Sequence, residues 1–304
     1  MNHYILISNT KEYKINTDLI NFISHQIEIF TGTNNSLKEL SSNKAFEWTI
    51  VSPKLNNDLV KIIKKHLLNE NIDLNLISSD KERKKKLLLA DMDSTIIMEE
   101  SLDELAKLIG LEKEVSKITS DAMNGKIDFE QALIKRVSML KNQPITILNE
   151  LKKNIKLTIG AKELIKTMNS HGATTVLISG GFTFLTNYLK DILGFHYTHA
   201  NILKIDKAID GSIIISGEVE YPILDKNAKG KFLESYVESL NINFDDTICV
   251  GDGANDIEMI KKSGLGVSYN GKDILNTVAN VRFKYTNLKG LLYAQGISDK
   301  EIIT

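Results

Sequence analysis

The chain has 304 residues, a length that fits a main domain together with one or two smaller units. Its 38 Lys and Arg residues nearly balance 39 Asp and Glu residues, so the net charge of -1 gives no general reason to expect binding to nucleic acid or a membrane surface. A single cysteine, Cys249, excludes a disulfide within the chain, and no apolar run approaches the roughly 18 residues of a membrane span. We therefore expect a cytoplasmic protein that acts on a small molecule.

Residues 1–82 are predicted to form a small α/β module. Amphipathic segments alternate here with strand-like runs at residues 4–8, 46–51 and 72–77. The module ends in a charge run at residues 80–86, which we interpret as a solvated linker or strand edge rather than an anion site. No motif in this module establishes a ligand, so a structural or dimerising role is an open alternative to regulation.

Residues 83–304 show continuous apolar runs that each end at a turn carrying polar residues. These runs lie at residues 87–90, 174–178, 247–250 and 264–267. Strands without polar–apolar alternation are covered on both faces, so we predict a doubly wound, mainly parallel α/β sheet of the Rossmann type. In such sheets ligands bind at the carboxyl ends of the strands.

Two segments interrupt the alternation of strands and helices. Residues 98–157 have helical periodicity and are predicted to form a helical cap inserted after the first strand of the sheet. Residues 203–221 carry Asp210 and Gly211 between apolar flanks, which predicts a hairpin.

Polar clusters follow three of the predicted strands, and a fourth cluster opens a helix. Asp91 and Asp93 leave the end of the first strand two residues apart, so both side chains can face one metal and one reacting phosphorus. Asp is also a favoured turn and N-cap residue, which leaves a structural alternative for this pair. Ser179 and Gly180 end the second strand, where a hydroxyl and open backbone N–H groups suit an anion, although a turn without a ligand would look similar.

The acidic cluster lies at the third strand end, with Asp252, Asn255 and Asp256 in a Gly-rich turn. So much negative charge at one sheet edge needs a cation, and Mg²⁺ with oxygen ligands fits. Upstream, Lys229 lies in the opening turn of a helix whose dipole favours anions, so it can contact phosphate, with a solvated surface lysine as the alternative.

The four clusters, in this order, resemble the four motifs of the haloacid dehalogenase superfamily. Within it, residues 87–292 resemble the phosphoserine phosphatases, because the cap carries a similar substrate-recognition region with Glu100, Met123, Phe129 and Arg136. Arg136 as a planar fork suits a carboxylate and Glu100 suits an ammonium, the two charged ends of an amino acid.

The resemblance implies hydrolysis of O-phospho-L-serine, the last step of serine biosynthesis, with Asp91 as nucleophile and Asp93 as acid and base. Mg²⁺ would be held by the carboxylates of Asp91 and Asp252 and the backbone carbonyl of Asp93. Asn255 and Asp256 would orient the metal, its waters or the substrate. Lys229, Ser179 and backbone N–H groups, including that of Gly180, would bind the phosphate.

Two alternatives stay open. A related phosphatase could act on another small phosphomonoester through a different cap. An amino-acid-binding regulatory protein could use the N-terminal module, since some phosphoserine phosphatases carry a domain that resembles ACT modules there. The oligomeric state also stays open, with a homodimer as one alternative.

Overall fold

The structure is a computed structural model that describes residues 1–11, 15–32, 36–123, 126–224 and 227–304. The first unit is a four-stranded antiparallel sheet with strand order β2-β3-β1-β4. Its strands are β1 (Asn2–Ser8), β2 (Ser36–Ser41), β3 (Ala45–Val51) and β4 (Asp73–Ser79). Helices α1 (Thr17–Thr31) and α2 (Asn57–His66) join this sheet in one apolar core with Trp48 at its centre.

The larger unit is built on a six-stranded sheet in which every neighbouring pair is parallel. The strand order is β12-β11-β10-β5-β6-β7. The strands are β5 (Leu87–Ala90), β6 (Thr174–Phe182), β7 (Tyr197–Asn201), β10 (Thr247–Gly251), β11 (Leu265–Tyr269) and β12 (Val281–Phe283). The order reverses between β5 and β10, so these two strands form the topological switch point where ligands bind in such sheets.

Helices cover both faces of this sheet, as predicted. Leu88 of β5 packs in one core cluster with α7 (Ala161–Ser170) and α8 (Thr183–Leu193). Leu89 points into a second cluster formed with α9 (Ala228–Ser239), α10 (Ile257–Lys262) and α11 (Asp273–Asn276). The short helix α12 (Gly290–Tyr293) joins the first cluster. Burial on both faces explains why these strands carry apolar residues without alternation.

A helical insertion follows β5. The chain leaves and re-enters the sheet unit at Ile97 and Leu157, which pair as an isolated antiparallel bridge. Between them lie α3 (Ser101–Leu108), α4 (Glu112–Met123), α5 (Phe129–Ser138) and α6 (Ile147–Asn154). These helices form a cap next to the carboxyl ends of β5 and β6.

The predicted hairpin is confirmed and belongs spatially to the cap. It consists of β8 (Leu203–Lys207) and β9 (Ile213–Val219), with Gly211 at φ +84° in the connecting turn. The backbone of Ile215 accepts a hydrogen bond from Asn142 N–H and donates one to the carbonyl of Gln143. Hairpin and cap are therefore joined by main-chain hydrogen bonds.

The two sheet units meet through buried polar contacts. Asp73 on β4 accepts hydrogen bonds from the backbone N–H groups of Lys284 and Tyr285, which follow β12. Arg83 forms a two-pronged ion pair with Glu47, at 2.6 and 2.8 Å, and its guanidinium lies 3.5 Å from the centre of the Tyr4 ring. The prediction that residues 80–86 form a solvated linker is therefore wrong at Arg83, whose side chain is only 11% exposed. Among the described residues, no helix is both long enough and apolar enough to cross a membrane.

Candidate active site

A cavity of about 350 Å³ lies between the switch point of the sheet and the cap. Asp91 follows the last residue of β5 and Asp252 follows the last residue of β10, so neighbouring parallel strands deliver both carboxylates to one edge. The cap side of the cavity is lined by Glu100, Phe129 and Arg136 among others. An acidic floor thus faces a wall that carries one acidic and one basic side chain.

Lys229 is the buried cation beneath this floor. Its Nζ donates to Asp91 Oδ1 at 2.5 Å and to Asp256 Oδ1 at 2.6 Å. Burial opposes the charge on Lys229, but the carboxylates of Asp256 and Asp91 outweigh it and raise the pKa of the ammonium. Lys229 is therefore a fixed positive charge next to the strand end.

Both carboxylate oxygens of Asp256 accept hydrogen bonds, one of them from Lys229. Its second oxygen accepts hydrogen bonds from the backbone N–H groups of Asp252 and Gly253. A Cβ atom at position 251 would collide with the Asp256 carboxyl group, so the glycine there is a steric requirement. Asp256 thus fixes the turn that presents Asp252 to the cavity.

Three carboxylates converge where β5 and β10 end. Oxygen atoms of Asp91, Asp252 and Asp256 all lie within 4.8 Å of one another. Burial raises the pKa of Asp91 well above its usual range; Lys229 opposes this rise, while Asp256 and Asp252 add to it. Burial and the neighbouring Asp256 raise the pKa of Asp252 to about 6, against the opposing effect of Lys272.

This donor set fits a metal ion. Fully ionised, the three carboxylates would carry two more negative charges than the buried ammonium of Lys229 balances, and one divalent cation would offset them. Oxygen donors are the ligands that hard divalent cations prefer. The cluster is consistent with a metal ion held by Asp91 and Asp252.

Asp93 is oriented by hydrogen bonds that hold its carboxylate apart from the acidic cluster. Oδ1 accepts from the backbone N–H of Ser101 at 2.7 Å, and Oδ2 accepts from Ser179 Oγ at 3.1 Å. Burial, together with the nearby charge of Glu100, raises the pKa of Asp93 to about 6. A carboxyl group with this pKa can both give and take a proton near neutral pH.

The cap residues differ in their environments. Glu100 is exposed, and its carboxylate accepts a hydrogen bond from Ser94 Oγ at 2.8 Å. Arg136 is partly buried; burial lowers the pKa of its guanidinium, against the effect of the acidic groups Asp103, Glu100 and Asp93. Phe129 lies so close to Gly180 that a Cβ atom there would be 3.0 Å from the Phe129 ring.

The structure brings most of the predicted residues together. Asp91, Asp93, Glu100, Phe129, Arg136, Gly180, Asp252 and Asn255 line the main cavity. Ser179 and Lys229 are buried beside it and line a small adjoining cleft together with Asn255. The side chain of Met123 lies outside the residues that the structure describes.

Sequence reasoning missed one charged residue of the site. Lys272 lines the cavity, with its Nζ 3.8 Å from Asp252 Oδ2. The sequence did contain a signal for Lys272. Asn270, Gly271 and Lys272 come after the predicted strand 264–267, just as the other polar clusters come after predicted strands. Ser101 and Thr119 of the cap also line the cavity and were not predicted.

The doubly wound sheet, its helical cap and the acidic cluster at the switch point define a hydrolase of the haloacid dehalogenase type. The family model for haloacid dehalogenase-like hydrolases matches residues 85–264. A phosphoserine phosphatase from Methanocaldococcus jannaschii is 44% identical over 211 residues, which cover 69% of this chain and 98% of that protein. A probable phosphoserine phosphatase from Schizosaccharomyces pombe is 38% identical over 259 residues, 84% of this chain and 86% of the relative.

The structural comparison covers the whole chain. A haloacid dehalogenase family hydrolase from Salmonella enterica serovar Typhi superposes with a TM-score of 0.82 at 25% identity, over 98% of this chain and 99% of that chain. The chain belongs to the haloacid dehalogenase-like hydrolases and, within them, to the phosphoserine phosphatase family.

Proposed function

We propose that the protein hydrolyses O-phospho-L-serine to L-serine and phosphate, with Mg²⁺ as its metal and a phosphoaspartate on Asp91 as the intermediate. The single observation that carries the proposal is the two-sided cavity. Its floor has carboxylates for phosphoryl transfer with Lys229 buried beneath them, and its cap wall has Arg136 and Glu100. A carboxylate, an ammonium and a phosphate are the three charged groups of phosphoserine.

Asp91 is the proposed nucleophile because it stands at the end of β5 with one oxygen held by Lys229. Attack on phosphorus forms the Asp91 acyl phosphate and releases the seryl oxygen, so one difficult hydrolysis becomes two displacements. Burial raises the pKa of Asp91, and the ammonium of Lys229 opposes this rise and so favours the ionised nucleophile. Asp91, Asp252 and the backbone carbonyl of Asp93 would hold the metal, which would supply positive charge to the phosphoryl oxygens.

Asp93 is the proposed acid and base. Protonated, it gives its proton to the leaving oxygen of serine; ionised, it then takes a proton from the water that attacks the phosphoaspartate. Its pKa of about 6 suits both directions. The hydrogen bonds from Ser101 N–H and Ser179 Oγ fix its orientation, and the first of them ties Asp93 to the start of cap helix α3.

The phosphate is proposed to lie against Ser179, the backbone N–H of Gly180 and Lys229, where donors neutralise the equatorial oxygens. Asn255 lines both the cavity and the small cleft next to Lys229, which supports a role in orienting metal-bound water or substrate. Asp256 supports the site from behind, through Lys229 and the Asp252 turn.

Substrate choice is assigned to the cap. Arg136 would hold the substrate carboxylate by two charge-assisted hydrogen bonds, and Glu100 would hold the ammonium. Phe129 packs over Gly180 and would close the apolar side of the site. Because Glu100 is exposed, cap closure over the substrate would complete this part of the site and exclude water.

Phosphate release from O-phospho-L-serine, with Mg²⁺ and with EDTA, tests the activity and its metal requirement. A panel of phosphomonoesters that lack the ammonium, the carboxylate or both then tests the substrate. We expect turnover of phosphoserine with Mg²⁺, loss of turnover in EDTA, and weaker turnover of each truncated ester. Equal turnover across the panel would favour a phosphatase for another small phosphomonoester.

The roles of Arg136 and Glu100 predict a substrate-selective loss. Arg136→Lys and Glu100→Gln should each lower kcat/KM for phosphoserine by about 10- to 100-fold, since a charge-assisted hydrogen bond contributes roughly 1.5 to 3 kcal/mol. Hydrolysis of p-nitrophenyl phosphate, which has neither group, should change little. Matched controls are Arg282→Lys and Glu112→Gln, both at exposed positions outside the cavity. Equal losses on both substrates would assign these residues a structural role instead.

A further inference from the structure

Among the described residues that line the main cavity, the lysine is Lys272, and the roles proposed above leave it unused. It follows strand β11 and lies opposite Asp252, with 3.8 Å between its Nζ and Asp252 Oδ2. Its side chain is 54% exposed, whereas that of Asp252 is 13% exposed. The ion pair therefore joins a half-exposed cation at the rim to a largely buried carboxylate inside the site.

The backbone beneath Lys272 is held by hydrogen bonds, although its side chain is half-exposed at the rim. Its N–H donates to the carbonyl of Asp252 at 2.8 Å. A Cβ atom at Gly271 would collide with Ser268 Oγ, and Asn276 Nδ2 donates to the Gly271 carbonyl. Lys272 is thus held within reach of Asp252 by its main chain, while its long stem can swing between several positions.

Lys229 and Lys272 differ in how firmly their side chains are held when a cation enters the site. Lys229 is buried and bonded to two carboxylates, so it stays in place when a cation enters. Lys272 makes a single long contact to Asp252, the carboxylate of the cluster to which Lys229 is not bonded. A divalent cation bound to Asp252 would repel the Lys272 ammonium, and the half-exposed side chain can retreat without breaking a buried hydrogen bond.

We propose that Lys272 is the exchangeable counter-ion of Asp252. It pairs with Asp252 when the metal is absent; when the metal is bound, its displaced ammonium stays at the cavity rim and binds an oxygen of the anionic substrate. The second half rests on the proposed phosphatase function, whereas the first half rests only on the metal. The positive charge of Lys272 should therefore weaken metal binding and strengthen substrate binding, because the lysine competes with the cation and assists the anion.

The test is Lys272→Met, which keeps an unbranched side chain of similar length and removes its charge. Binding of Mn²⁺ alone, without substrate, is measured from the electron paramagnetic resonance signal of the free ion. We expect the Kd for Mn²⁺ to fall by about 3- to 10-fold, a modest effect because the lysine is half exposed and screened. The KM for phosphoserine at saturating metal should rise by a similar factor.

Two control variants make the test specific. Lys272→Arg keeps the charge and should leave the Kd for Mn²⁺ within about twofold of wild type. Lys261→Met removes an exposed lysine of α10 that does not line the cavity, and should leave both quantities unchanged.

The proposal has two parts, the counter-ion role of Lys272 and its role in substrate binding, and each is tested by its own measurement. An unchanged or weaker Mn²⁺ affinity in Lys272→Met would overturn the counter-ion role, and a weaker affinity would indicate that the lysine only supports the loop. Tighter Mn²⁺ with an unchanged KM would overturn the substrate role alone. If the wild-type protein binds Mn²⁺ and shows the shift but does not hydrolyse phosphoserine, the proposed function fails while the counter-ion role stands.

Discussion

Within the described part of the chain, two buried ionic clusters differ in their charge balance. At the junction of the two sheet units, Arg83 and Glu47 form a one-to-one pair with two hydrogen bonds, stacked on Tyr4. At the end of β5, Lys229 faces three carboxylates, those of Asp91, Asp252 and Asp256. The Arg83–Glu47 pair is neutral, whereas the cluster at the cavity floor has three carboxylates for one buried ammonium.

This difference separates a structural use of buried charge from a functional one. Buried charges are tolerated when each is paired and hydrogen-bonded, as at the junction. A cluster that folds with unmatched carboxylates stores unfavourable energy, which a ligand of opposite charge can release. The raised pKa values of Asp91 and Asp252 are the physical sign of that mismatch. The comparison predicts that mutations in the two clusters have opposite effects on stability and activity.

The largest effect is expected at the cavity floor. Asp91→Asn should lower kcat by at least about 10³-fold, because an amide cannot form the acyl phosphate. It should not lower the melting temperature, since it removes one charge from an overcharged cluster. Phosphate release and thermal unfolding measure the two quantities. More than a few per cent of wild-type kcat, in a preparation free of deamidation, would rule out the covalent mechanism.

Mutation of the Arg83–Glu47 pair should have the reverse effect, a loss of stability with little change in activity. Glu47→Ala leaves the Arg83 guanidinium buried without its partner, so the free energy of unfolding should fall by about 3 to 5 kcal/mol. The kcat should stay near wild type at a temperature where the variant is folded. Chemical denaturation measures the loss, and Glu82→Ala, at an exposed position next to Arg83, is the matched control. An equal loss in both variants would mean that the buried pair is unimportant.

The smallest expected effect is a gain in stability when Asp252 is replaced by Asn in the absence of metal. The pKa of Asp252 is raised from 3.8 to about 6, so the folded protein binds this proton more tightly than the unfolded chain does. Stability from this group is therefore lost as the pH rises from about 4 through 6, by up to about 3 kcal/mol. Without metal at pH 7.5, Asp252→Asn should be more stable than wild type by up to that amount.

Thermal unfolding across this pH range, in EDTA and in Mg²⁺, checks the sign. With Mg²⁺ the order should reverse, because the wild type gains stability from the bound ion and the Asn variant does not. A variant less stable than wild type in EDTA at pH 7.5 would contradict the view that Asp252 is strained without its cation.

The sequence predicted those strands whose burial imposes a run of apolar residues. Strand β5 and its successor Asp91 were located because four consecutive apolar residues precede a carboxylate. Strands β2, β7 and β12 were missed. β2 exposes four of its six residues, β7 has a polar sequence at the sheet edge, and β12 has three residues. In none of them does burial impose an apolar run.

Contacts between distant segments were beyond sequence reasoning. Arg83 and Glu47 lie 36 residues apart, and each alone resembles a surface charge. The pairing of Lys229 with both Asp91 and Asp256 likewise appears only when β5, α9 and the turn after β10 meet. Residue types at strand ends predicted which groups gather at the site, whereas their hydrogen-bond partners required the structure.

The most direct test of the central claim is to trap the covalent intermediate. The protein is mixed with phosphoserine and Mg²⁺, quenched in acid and treated with borohydride, which reduces an aspartyl phosphate to homoserine. Peptide mass spectrometry then locates the reduced residue. The account predicts homoserine at position 91, dependent on substrate and absent from Asp91→Asn. Turnover of phosphoserine without reduction at position 91, or with reduction at Asp93 or Asp252 instead, would contradict it.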